Sequence, residues 1–212
     1  MSDVFRINTE ESVNDSLQPK VEIPIFDLVA EDDPILREVM PEFNFDYPLV
    51  DAAAFASSLV ETCKKNQGIG LSANQCGYRH RVFVMGAGDD YVAHFNPKLL
   101  QYSHSNESHM IESCLSFPLL GLRITRPSVI EVAYEDFTGA RRTAKYAGIS
   151  ARCFLHELDH MNGILYTDRV KPLALKSGVN KRNKVIKKMA QYQSLMMNQD
   201  KQKNGKNIPR NR

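Results

Sequence analysis

The sequence predicts an α+β protein. Strand-like runs cluster in the middle of the chain, one deeply apolar helix comes late, and the two are not interleaved as a βαβ alternation would require. The 212 residues suit one domain, or one domain with tails. A hydrophobic fraction of 42% against 25% charged residues supplies a full core and rules out wholesale disorder, collagen or coiled coil. No apolar run approaches the ~18 residues that span a bilayer, so no membrane-spanning helix is expected.

Residues 1–20 are polar and aperiodic and read as an N-terminal arm. The arm carries Asp3, Glu10, Glu11 and Asp15 and no apolar stretch, so neither a secretory signal nor an Arg-rich transit peptide is expected. A cytoplasmic location follows, where Cys63, Cys76, Cys114 and Cys153 stay reduced and a special cysteine is a metal ligand or a nucleophile. Val21–Val29 is apolar enough for a short strand, and Pro34 opens a turn into Ile35-Leu36-Arg37. From Tyr47 to Lys65, Leu49, Ala53, Ala56, Leu59, Val60 and Cys63 recur at helical spacing, with Pro48 in the first turn and Gly68 as the stop.

Strands are expected at Arg81–Met85, Tyr91–Phe95, Val129–Tyr134 and around Thr143–Tyr146, the last two joined by a hairpin loop over Asp136–Gly139. Ile149–Asn162 reads as the second helix, capped by Ser150 and ended by Gly163. A third is expected from Lys181 to about Asn198, with Val185, Met189, Tyr192 and Met196 on one stripe, before a Lys/Asn/Gln-rich tail. The chain thus divides into an arm (1–20), a body (21–175) and a basic helix and tail (176–212). The net charge of +2 conceals that division: residues 1–170 hold 15 basic and 24 acidic residues, whereas residues 171–212 hold 12 basic residues and one acid, Asp200. The tail alone suits a polyanion.

The sharpest chemical signal is His156-Glu157-Leu158-Asp159-His160 inside the second helix. Residues four apart share a helix face, so both imidazoles can bind one metal ion, with Glu157 beside them to move a proton on the water that such an ion binds. The chain has only 6 His, and packing does not explain two of them behind Cys153-Phe154-Leu155. A catalytic site of this kind needs a third protein ligand and one open position. Asp168 is the only acid between His160 and Asp200, and no histidine follows. The third ligand is therefore Asp168 or lies upstream. Cys114, in Ile111-Glu112-Ser113-Cys114-Leu115-Ser116 between predicted strands, is the upstream candidate, although most free cysteines are inert packing. Gly68-Ile69-Gly70-Leu71-Ser72-Ala73-Asn74-Gln75 lacks the Lys-Ser/Thr of a phosphate loop and the third glycine of a dinucleotide fingerprint. Its small residues suit the close approach of a ligand backbone, and Gln75 offers an amide to a carbonyl oxygen.

Together the three segments resemble the signature motifs of the peptide deformylase family: a Gly-x-Gly-x-x-Ala-x-Gln loop, a Glu-Gly-Cys-Leu-Ser segment and a Gln-His-Glu-x-x-Asp-His helix, in that order and at similar spacing. Asp33-Pro34-Ile35-Leu36-Arg37, Asn96-Pro97, Arg126-Pro127, the Asp136–Gly139 hairpin and Gly163 through Asp168-Arg169 extend the likeness over about Ile23 to Val170. The resemblance implies sheets packed around a central helix that bears the histidines, making 21–175 the catalytic domain. It also implies a reaction, removal of the N-formyl group from the initiator methionine of newly made chains.

By the same resemblance, Cys114, His156 and His160 ligate one divalent ion, Fe²⁺ in the native enzyme, with Zn²⁺ or Ni²⁺ able to take its place. Glu157 is the general base and acid for a water attacking the formyl carbon. Gln75 and the backbone N–H of Leu115 stabilise the oxyanion. The peptide lies extended like an added strand along the first two motifs, Ser113 among its contacts, with Ile69, Gly70, Ile149 and Cys153 around the methionine pocket and Met110 joining them. The sequence departs from the family pattern at Ser113 (usually glycine), Leu155 (usually glutamine) and Gln67 (often glutamate). Asp159 reads either as a partner that orients a histidine or as a surface acid.

The implied partners are N-formyl-Met nascent peptides and, through Lys181, Arg182, Lys184, Lys187 and Lys188, the ribosome, with no membrane and a monomeric state expected. Two other readings make different demands. A peptidase using the same helix needs a ligand C-terminal to His160, and a non-catalytic protein docking on RNA needs a fourth ligand to close a structural metal site.

Overall fold

The α+β class is realised in the computed structural model, which describes residues 23–103 and 106–205; the arm expected over 1–20 lies outside the described residues. Asp51 sets the start of α1 (Ala52–Lys65), its Oδ1 accepting from Ala54 N at 2.7 Å. The helix therefore begins later than the apolar spacing suggested. Residues 47–50 turn instead: Asn44 Oδ1 accepts from the backbone N–H of Asp46 and Tyr47, and Leu49 stays exposed.

No strand forms over the described part of Val21–Val29. Phe26 N donates to Thr62 Oγ1 at 2.9 Å and Val29 N to Gln75 O at 2.9 Å, so this backbone is satisfied by a helix side chain and a turn. Apolar content placed the segment against the core, with Phe26 on the rings of Phe55 and Tyr78, but gave it no ladder.

Five strands make one antiparallel sheet: β1 (Gly70–Ser72), β2 (Val82–Ala87), β3 (Asp90–Tyr102), β6 (Val129–Glu135) and β7 (Arg141–Ala147), in that spatial order. β3 is long because it serves two partners. Its first half pairs with β2 and its second with β6, with a register shift at Asn96-Pro97 between them. Asn96 has φ +49°, and its side chain bonds the backbone of Phe43 on both sides, which holds the bulge open.

A second, two-stranded antiparallel sheet, β4 (Glu107–Cys114) paired with β5 (Phe117–Pro127), was not anticipated from the sequence. Cys114 is consequently the last residue of a strand, with a two-residue turn (Leu115, Ser116) after it.

Between the two sheets runs α2 (Gly148–Met161), buried at every position from Ala151 to Met161. Ala147 occupies the N-cap with no side-chain bond, so Ser150, expected as the cap, sits inside the first turn, three residues past the N-cap. Gly163 does end the helix. Its φ is +68°, and a Cβ there would meet Arg37 O at 2.4 Å.

α3 (Pro172–Gly205) begins nine residues before the expected Lys181. Proline is tolerated in a first helical turn. Leu175 and Val179 pack on the core, Gly178 lies against Leu120 and Leu122 of β5, and Arg182 pairs with Glu31. The expected division after residue 175 thus falls within one continuous helix. Beyond it, Val185, Met189, Tyr192 and Met196 are exposed. Among the described residues no helix is long and apolar enough to cross a membrane.

Among the described residues, His94 is the one fully buried histidine away from α2's pair. Its Nδ1 lies 3.2 Å from Val92 O and its Nε2 2.8 Å from Tyr146 Oη. A carbonyl only accepts, so Nδ1 carries the proton and Nε2 accepts from the tyrosine hydroxyl, which leaves the ring neutral. Burial holds its pKa down at about 3. Because that value lies below the ordinary one, the stabilisation is full above about pH 6.5 and is lost as pH falls toward 3. In urea unfolding, the wild type is expected to lose roughly 2–3 kcal/mol more than His94→Gln between about pH 7 and pH 4.5.

Candidate metal centre and peptide cavity

Helical periodicity stacks His156 and His160 on one face of α2, and the β4–β5 turn delivers Cys114 to the same point. One donor atom from each lies within 4.8 Å of the others, and Cys114 Sγ stands 3.3 Å from His160 Nε2. Bonds of about 2.0–2.3 Å in a tetrahedral site set neighbouring donors about 3.3–3.8 Å apart, so a thiolate and two imidazoles at these distances fit a divalent ion. Asp168, the other candidate, is elsewhere: it pairs with Arg37 and accepts from Leu165 N. The group contains three protein donors among the described residues, which does not provide the fourth ligand of a closed structural site.

Two of the three donors have a side-chain neighbour that orients them, Glu112 for His156 and Gln75 for Cys114. Glu112 Oε2 lies 3.1 Å from His156 Nδ1. Burial opposes charge on His156, but the hydrogen bonds with Cys114 and Glu112 outweigh it and raise the ring to about 10. Burial, then the charges of His156 and Arg126, hold His160 well below its usual value. Gln75 is fixed at both ends: Oε1 accepts from Ser72 N at 2.9 Å, and Nε2 donates to Ser116 Oγ at 3.0 Å and toward Cys114 Sγ at 3.3 Å. Its N–H edge therefore faces the donor group. Asn74 ties the same turn to α2 through His160 O at 3.0 Å.

Glu157 is buried, and its Oε2 has no partner among the described residues. Burial raises its pKa to about 7, against the lowering effects of His156, Ser72 and Arg126. A carboxyl so placed exchanges a proton readily at neutral pH. Gly70 makes room for it, since a Cβ there would lie 2.5 Å from Glu157 Oε1 and 2.7 Å from Cys153 Sγ.

A cavity of about 620 Å³ opens on this group. Gln75, Cys114, His156 and Glu157 line it together with Ile69, Gly70, Ser113, Leu115, Ile149 and Cys153, and Glu112 and Arg152 border it as well. His160 is not among the lining residues. Met110 is off the cavity and exposed; Ile111, Leu119 and Leu28 take the place expected of it. β1 and the Ser113–Leu115 segment face each other across the opening, and Leu115 Cδ1 lies against Gly68.

A family model described as polypeptide deformylase matches residues 25–176. The chain belongs to the polypeptide deformylase family. Its reaction is accordingly hydrolysis of the formyl group on N-formyl-methionyl chains. A peptide deformylase of Thermotoga neapolitana is 38% identical over 141 residues, 66% of this chain and 84% of that one. One of Brucella suis is 34% identical over 173 residues, 79% and 93% of the two chains. Among solved structures, a Synechococcus elongatus peptide deformylase in complex with actinonin superposes with a TM-score of 0.69 at 28% identity, covering 77% of this chain and 90% of that one. The Thermotoga maritima enzyme gives 0.63 at 32% identity over 70% and 99%.

Deformylase motifs located the donors but not what surrounds them. Asp159 is neither a histidine partner nor a surface acid; it is buried and paired with Arg126 at 2.8 Å and with Arg169. Glu112 holds His156 in its place. Its position two residues before Cys114 puts both on one strand face, a signal readable only once β4 is recognised. Arg126 and Arg152, both buried, complete the network on Glu112.

The raised Glu157 value carries a stability signature. Its folded pKa lies above the ordinary carboxylate range, so its contribution is fully present below about pH 4.5 and is lost as pH rises through about 7. Chelator-treated Glu157→Gln protein is expected to exceed the wild type by on the order of 3 kcal/mol at pH 8 and to match it below about pH 4.5, measured by denaturant unfolding.

Proposed function

We propose that this deformylase hydrolyses the formyl group of new chains with Glu157 as its general base and acid and Cys114, His156 and His160 as the ligands of one divalent ion. The observation that carries this reading is the meeting of three donors beside one cavity that Cys114, His156 and Glu157, its Oε2 unpartnered, all line. A bound ion supplies a polarised water at neutral pH, and the thiolate and imidazole donors suit Fe²⁺, the proposed native ion, as well as Zn²⁺ and Ni²⁺.

Glu157 takes the proton of the attacking water and returns it to the departing amine nitrogen, a double use that a carboxyl poised near pH 7 supports. The Gln75 amide, held at both ends, donates from Nε2 to the oxyanion as it forms, with the Leu115 backbone N–H as second donor. Because these donors are fixed beforehand, the charge develops without reorganising them. The peptide lies extended between the Ile69–Gly70 segment and Ser113, and its methionine side chain sits among Ile69, Ile149 and Cys153.

The basic part of α3 is proposed to dock on the ribosome, with the enzyme acting as a cytoplasmic monomer. Support comes from its charge and its free apolar stripe: Lys181, Arg182, Lys184, Lys187 and Lys188 accompany Val185, Met189 and Tyr192, and no acid precedes Asp200.

An N-formyl-Met tripeptide assay tests the chemistry. The metal-loaded protein is expected to turn over the formylated peptide and spare the unformylated one, and Glu157→Ala to lose roughly 10²–10⁴-fold in kcat. Full turnover by Glu157→Ala, or cleavage of the unformylated peptide, sinks the assignment. Truncation after Asn183, which keeps the docked turns of α3, is expected to leave tripeptide turnover unchanged while ribosome co-sedimentation falls and loses its salt dependence.

A further inference from the structure

We infer that Arg152 is a positioning residue for the metal donors, bracing the helix that carries His156 and His160 against the strand that carries Cys114; the inference rests on the metal ligation proposed above. The three donors come from two elements, so their spacing is only as fixed as α2 is against β4. Arg152 lies one turn before His156 on α2 and is buried. Its Nη1 donates to Glu112 Oε1 and, at 3.1 Å, to Ile124 O. Its Nη2 donates to Ser108 O at 2.6 Å, with Ser108 Oγ at 3.2 Å. One guanidinium thus reaches both strands of the β4–β5 hairpin and both halves of β4.

Charge balance does not account for this arginine. Arg126 already holds Glu112 at both oxygens, at 2.7 Å and 2.9 Å. A second buried cation on the same carboxylate adds desolvation cost, and what it adds in return is attachment. The rigid fork makes three such attachments where the single ammonium of a lysine makes fewer. They converge on the ligand shell, because the carboxylate that Arg152 grips is the one that accepts from His156 Nδ1–H and leaves Nε2 free to ligate. The brace therefore acts on the donors through Glu112, while Arg152 itself also borders the cavity.

Arg152→Met, which keeps the length of the side chain and removes its head, and Arg152→Lys, which keeps the charge, test this on Co²⁺- and Zn²⁺-loaded full-length protein. Release of Zn²⁺ to a chelator is expected to quicken about 10–100-fold in Arg152→Met and by less in Arg152→Lys, and the visible spectrum of the Co²⁺ form to change with it. The rise in Tm on loading is expected to shrink. A merely structural arginine would lower Tm equally with and without the ion and leave release rate and spectrum as in the wild type, which overturns the inference. If Arg152→Met does not fold, Arg152→Lys decides, and wild-type release and spectrum in that variant overturn it. Failure of the wild type to take up an ion, or uptake unaffected by Cys114→Ala, instead removes the ligation on which the inference stands.

Discussion

A helix buried on every side cannot carry an unanswered polar group, and most of this structure is an answer to α2. From Ala151 to Met161 every residue is enclosed, yet that stretch includes Arg152, His156, Glu157, Asp159 and His160. Burying each of these groups alone would be prohibitive. The sheets therefore bring partners: Glu112 from β4 for His156 and Arg152, Arg126 from β5 for Glu112 and Asp159, and Arg169 from beyond the helix for Asp159. Three atoms are left over on α2: Arg152 Nε, Glu157 Oε2 and His160 Nδ1 have no partner among the described residues. The Glu157 oxygen belongs to the carboxyl proposed to move the proton of the reaction.

The same constraint explains why the site is split between two sheets. The five-stranded sheet presents a glycine edge, Gly70, because only a residue without a Cβ leaves room for Glu157. The separate β4–β5 hairpin presents a turn, which delivers Cys114 and Ser116 on either side of Leu115. Gln75 then bonds across the gap to both. Neither sheet contains the site by itself, and the cavity is the space between them.

What the sequence disclosed divides along similar lines. The i, i+4 histidines, the apolar surroundings of α2 and the small-residue loop were legible because helical periodicity and glycine use are local signals. Cys114 was legible as a candidate and chosen over Asp168 only by the family likeness, since the hairpin that carries it must bring it to a histidine 46 residues further along the chain. That hairpin was missed because Glu107-Ser108-His109 and Glu112-Ser113 break any alternation of apolar and polar residues; the inward polar positions there serve buried charges, not a greasy core. Val21–Val29 misled in the opposite direction, being apolar enough for a strand but bonded to Thr62 and Gln75. The start of α3 was hidden by Pro172 and Gly178, residues that usually interrupt helices. Here the first opens the helix and the second lets it press against β5.

That last helix sets a boundary on what its partners are able to influence. At 1.5 Å per residue, its 34 residues extend about 50 Å. Among the described residues, its first turns touch the body, with Leu175 and Val179 on the core, Gly178 against Leu120 and Leu122 and Arg182 on Glu31, and none of its residues lines the cavity. Whatever seats itself on the distal stripe is tethered to the enzyme without entering its chemistry. Its effect is on local concentration: a substrate emerging near the tether meets the cavity at the effective molarity the helix length allows, and the barrier to hydrolysis stays as it was.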